Sequence, residues 1–165
     1  MMREPDLHIR PLVRTDQSFL WDILHVALWD PPPAPLRPRE VLDSPGVRIY
    51  AENWGRVDDI GVVGELPNVA GPIGACWMRV VPDKQGLAHV DDATPQLGIA
   101  LLPSFQGKGY GHRLMLAALD AARKAGVRQV SLTVHPKNPA IAMYQRCGFK
   151  RWERPMLYHL MVATL

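Results

Sequence analysis

The chain has 165 residues, 47% of them apolar and 21% charged, with a formal net charge of +3. That length suits one domain, residues 1–165, with a substantial core, and the mild, scattered positive balance suits an anionic ligand without arguing for nucleic acid. No apolar run approaches the ~18–20 residues of a membrane helix, and the opening MMREPDLHIR lacks the order of a secretory leader, so no membrane partner and a cytoplasmic location are expected. Cys76 and Cys147 lie far apart in a cysteine-poor chain, which argues against a disulfide framework or a zinc site and fits a reducing compartment.

Residues 7–13 (LHIRPLV) have a strand-like pattern, followed by Asp16 and Ser18 as helix caps. Leu20, Ile23, Leu24, Ala27 and Leu28 then recur at helical spacing across residues 18–29. The prolines of DPPPAPLRP (30–38) exclude a helix there and read as a stiff connector. A short helix follows at 39–42, and 46–54 fits helix and strand equally. IGVVGEL (60–66) and PIGACWMRVV (72–81) read as strands of a hairpin around PNVAG. TPQLGIALLP (94–103) is a further strand, and 109–125 is a helix with Leu114, Ala117, Ala118, Ala121, Ala122 and Ala125 on one stripe, stopped by Gly126. In VRQVSLTVH (127–135), Val130, Leu132 and Val134 point inward against Ser131 and Thr133. A helix at 138–146 and strands at 148–153 and 156–162 close the chain. The order predicts a mixed α/β sheet.

Between the strand ending at Pro103 and the helix after Gly109 lies PSFQGKGYG, with glycines at 107, 109 and 111. Alternate glycines let backbone N–H groups converge on an anion, and the helix that follows adds its positive N-terminal end. The spacing is neither a P-loop nor G-x-G-x-x-G, since position 112 is His. A tight strand-to-helix turn is the plainer reading of the same glycines.

QGKGYG (106–111), preceded by IALLP (99–103), resembles the Q/R-x-x-G-x-G/A signature of the GNAT superfamily of acetyl-CoA-dependent N-acetyltransferases, and VSLTVHPKNPAIAMYQRCGF (130–149) is similar to that family's second conserved block. The resemblance implies a mostly antiparallel central sheet, splayed at the cofactor site between strands 94–103 and 127–135 and flanked by helices. It implies acetyl-CoA as cosubstrate, its pantetheine arm on main-chain groups of Ile99 and Leu101. Its pyrophosphate would lie on the backbone of Gln106, Gly107, Lys108, Gly109, Tyr110 and Gly111, with His112 and Arg113 beginning the helix. It further implies contact from Asn138, and Tyr144 as the acid that protonates the departing thiolate, a role that a phenol protonated at neutral pH suits. Core packing is the other reading of Tyr144, and a helix cap that of Asn138, which stands one residue nearer the tyrosine than is usual in the family.

The partner would be a primary amine acceptor that attacks the thioester directly in a ternary complex without an acyl-enzyme, because neither cysteine has an adjacent base. A CoA-binding module without turnover is the alternative. Gln96 is not a base; Glu65, Asp91, Asp92 and His89 are the neighbouring titratable groups, each read first as a surface residue. Trp29, Trp54 and Trp77 read as core anchors or acceptor-pocket walls, and Arg146, Lys150, Arg151 and Arg154 as a solvated face. The resemblance also places the Pro-rich segment 30–38 where the family builds part of its acceptor site, a stiff connector being the plainer reading. The acceptor's identity stays open, as does the oligomeric state, a homodimer included.

Overall fold

The computed structural model describes residues 6–165, so half of the opening segment read for a leader lies outside the described residues. The elements are β1 (His8–Pro11), α1 (Gln17–Ala27), α2 (Pro45–Arg48), β2 (Ile60–Glu65), β3 (Gly74–Arg79), β4 (Gln96–Leu101), α3 (Tyr110–Lys124), β5 (Gln129–Val134), α4 (Ile141–Arg146), β6 (Phe149–Trp152) and β7 (His159–Thr164). They form a seven-stranded sheet in the order β1-β2-β3-β4-β5-β7-β6. Every neighbouring pair is antiparallel except β4 with β5.

Side-chain alternation along the strands feeds two cores, one on each face. α3 lays Tyr110, Leu114, Met115, Ala118, Leu119 and Ala122 on one face. The buried stripe is therefore rotated from the alanine-based expectation, and Ala125 is exposed, because the larger Tyr, Leu and Met side chains bury more apolar area. Gly126, at φ +85°, ends the helix. On the other face α1 buries Leu20, Ile23 and Leu24 in a cluster with Trp54, Ala75 and Trp77.

Several local expectations give way to tertiary contacts. Asp16 does not cap α1 through its side chain; its carboxylate accepts from the Val13 N–H and pairs with Arg10 at 2.8 Å. The ambiguous 46–54 stretch forms one turn of helix and then turns, and the last strand begins at His159, three residues later than expected. Ser131 is fully buried rather than outward, because its hydroxyl donates to Ala88 O at 2.6 Å under the loop 82–95. The Arg79–Asp59 pair, with side chains 1% and 4% exposed, is likewise buried, and Arg79 also donates to the Ile49 and Glu52 carbonyls. Among the described residues no helix is long and apolar enough to cross a membrane.

Candidate active site

The sheet parts at its one parallel junction. β4 and β5 meet only at Gln96 and Ser131, with Ser131 N–H donating to Pro95 O at 3.1 Å. Leu102 N–H donates to Ile73 O at 2.8 Å, and antiparallel bonding alternates from there. The register Ala75 with Ala100 and Trp77 with Gly98 therefore spends alternate residues of β4 on β3. Leu97, Ile99 and Leu101 turn their N–H and C=O groups toward the gap. The result is an open strand edge inside the protein, in a cleft of about 620 Å³ that crosses the sheet.

One mouth of the cleft is the segment between β4 and α3. Gly107 and Gly109 sit at φ +74° and +85°, a left-handed conformation that disfavours any residue with a Cβ, and Gly109 is the N-cap of α3. The first intrahelical acceptor is reached only by Arg113 N–H, at 3.5 Å from Gly109 O. The amides of Tyr110, Gly111 and His112 thus stand at the positive end of a 15-residue helix. A side chain at Gly111 would grow toward Leu101 and Met143, that is, into the cleft. This cradle suits an anionic group, and the open edge of β4 suits an amide-bearing chain.

The predicted residues separate here. Ile99, Leu101, Gln106, Gly107, Gly109, Tyr110, Gly111, His112, Asn138 and Tyr144 all line the cleft. Gln106 bonds its Nε2 to Leu101 O at 2.9 Å, and the Tyr110 side chain is packed in the core. Lys108 is exposed and is not part of the lining. Arg113 points away: its Nη2 donates to Leu7 O at 3.3 Å, near the start of β1.

Tyr144 projects from α4, 7% exposed, with its ring 6.1 Å from that of Phe149. Its hydroxyl has no hydrogen-bond partner among the described residues and opens to the cleft. Burial pushes the phenol pKa above its ordinary value, with Cys76 adding to the shift. Asn138 Oδ1 accepts from Ala140 N–H at 2.9 Å, so its carbonyl holds the turn into α4 while its amide nitrogen is uncommitted.

None of the predicted base candidates lines the cleft. Glu65 pairs with Arg10 at 2.7 Å. Asp91 is held by Thr94, Ala93 and Gln129, which keep its carboxyl below the usual range, and His89 faces Asp92. Gln96 is spent structurally: its Oε1 accepts from Tyr50 Oη (2.9 Å) and Ala88 N–H (3.2 Å), and its Nε2 donates to Gln85 O (2.8 Å). It holds the loop 82–95 beside the cleft.

The other mouth holds residues that sequence patterns did not single out. His135, Tyr158 and Arg37 line it beside Trp29. The Pro-rich connector is therefore part of the cleft wall. Trp54 and Trp77 are buried, their indole N–H groups donating to Leu12 O and Tyr50 O; Trp77 also reaches the lining, as does Arg146 from the basic group.

A mixed sheet parted at its centre, with a glycine cradle at a helix N-terminus on one side of the gap, defines a protein that binds an anionic, amide-bearing cosubstrate along a strand edge. The chain belongs to the acetyltransferase (GNAT) family, which it matches over residues 21–149. It is similar to a mycothiol acetyltransferase of Renibacterium salmoninarum, 37% identical over 67 residues, which are 40% of this chain and 20% of that protein. It is 31% identical to that of Actinosynnema mirum over 111 residues, 67% of this chain and 34% of that protein. The match thus spans about a third or less of these curated relatives. The fold is also that of the PaiA N-acetyltransferase of Thermoplasma acidophilum, solved in complex with coenzyme A. The TM-score is 0.66 at 17% identity, covering 97% of this chain and 99% of that one.

Proposed function

We propose that the chain is one catalytic domain that transfers an acetyl group from acetyl-CoA to a primary amine by direct attack in a ternary complex. The observation that carries this is the Tyr144 hydroxyl, unbonded and open to the cleft at the parting of β4 and β5. The cosubstrate supplies an activated thioester. The amides of Ile99 and Leu101 hold its pantetheine arm, and those of Gly107 to His112 hold its pyrophosphate, with Asn138 contributing its free amide nitrogen. As the amine forms the C–N bond and the C–S bond breaks, Tyr144 gives its phenolic proton to the sulfur. Its raised pKa keeps that proton in place through neutral pH. No carboxylate among the described residues lines the cleft; in this reading the proton of the attacking nitrogen passes to water, and solvent restores that of Tyr144. Cys76 is fully buried, with its thiol pushed well above the usual range, which supports transfer without an acyl-cysteine. The two free cysteines also suit the cytoplasm.

The test is a panel of primary amines with acetyl-CoA, reading free thiol and acetamide together. Equal amounts of both, and no acetylated protein when acceptor is omitted, are expected. Tight acetyl-CoA binding without turnover on any amine would make the chain a CoA-binding module instead.

A further inference from the structure

The mouth opposite the glycine cradle is organised around hydrogen-bond donors. The rings of Trp29 and Tyr158 stand edge-on to His135, at 5.7 and 6.0 Å between centroids. His135 Nδ1 accepts from Lys137 N–H at 3.0 Å, which in the neutral ring leaves the proton on Nε2. His135 is thereby a donor in this position and not a base.

Arg37 spends Nε and Nη2 on Asp30 at 2.8 and 2.9 Å, and Nη2 also reaches Tyr158 Oη at 3.3 Å. Its Nη1 has no partner among the described residues. Asp30 and Tyr158 therefore fix the plane of the guanidinium and leave Nη1 free, a charged donor that can bond one oxygen of a carboxylate. Asp30 does not itself line the cleft, and no other acidic residue among those described does. A polycationic acceptor would meet arginine and histidine here, with no carboxylate to receive its remaining charges.

We infer that the acceptor, within the acetyl-transfer reading on which this rests, is a primary amine that also carries a carboxylate, bound by Arg37 Nη1 and His135 Nε2–H. Its apolar body lies against Trp29. Arg37 is then a specificity residue: it anchors the far end of the acceptor and leaves the amine free to approach the thioester.

Product-side binding tests this without the complication of amine protonation. The CoA-loaded protein is titrated calorimetrically with N-acetylphenylalanine and with N-acetylphenylalaninamide, which differ only in the carboxylate. The acid is expected to bind about tenfold tighter or more, the range of a hydrogen bond to a charged group. Arg37→Gln should remove that preference while leaving CoA affinity and amide affinity unchanged, an outcome that a general loosening of the fold would not produce. Equal affinities of acid and amide in the unaltered protein, no binding of the acid, or a preference that survives Arg37→Gln overturns the inference. Wild-type protein that binds CoA yet shows no acid preference overturns it alone; wild-type protein that binds no CoA overturns the acetyl-transfer reading as well.

Discussion

The mouth at Gly107 to His112 comes from one stretch of chain, whereas the opposite mouth assembles Trp29 and Arg37 with His135 and Tyr158 from far along the chain, Arg37 and Tyr158 lying 121 positions apart. The first works through backbone: positive φ angles, orphan amides and a helix end. The second works through side chains held by one another: an ion pair, a phenol and rings meeting edge to face. The contrast teaches that a cradle for a constant chemical group is encoded locally, while a pocket for a particular acceptor is encoded by which distant segments meet. Tyr144 stands where the two halves join.

The largest effect is expected at that junction. Tyr144→Phe keeps the ring against Phe149 and deletes only the hydroxyl, so acetyl-CoA affinity should persist while kcat falls by ~10² to 10⁴. Because burial raises the phenol pKa, its protonated form survives to higher pH than that of a free tyrosine. In the unaltered protein kcat should therefore show no downward limb from this group below pH ~10. Full activity in the Phe variant would reduce Tyr144 to a packing residue.

An intermediate effect separates the halves. Gly109→Val puts a β-branched residue at φ +85°, where strain is about 1–2 kcal/mol, while the added Cβ meets no protein atom within 4 Å. The fold should survive with a modest loss of thermal stability, and acetyl-CoA affinity should fall about tenfold or more by calorimetry as the helix amides shift. Acceptor-side preferences should not change. Unchanged cofactor affinity would remove the glycine segment from the site.

The smallest effect sharpens what counts as cradle. Lys108 is exposed and lies outside the lining, so Lys108→Ala should change the KM for acetyl-CoA by less than about twofold at physiological salt, where screening is strong. A larger change, lost on adding salt, would return Lys108 to the phosphate site.

Sequence alone determined the strand–loop–helix unit around QGKGYG, the helix ended by Gly126, the β2–β3 hairpin and the mixed sheet, because each rests on local chemistry. Periodicity reports which face is apolar, glycine reports where φ turns positive, and a helix start reports where amides lack partners. Tertiary structure decided the rest. It turned Arg113 to Leu7 and spent Gln96 on the loop 82–95. It also brought Arg37 of the Pro-rich stretch to Tyr158 at the far end of the chain. A polar side chain's role depends on the partner it finds, and when that partner comes from a distant segment no local pattern specifies it.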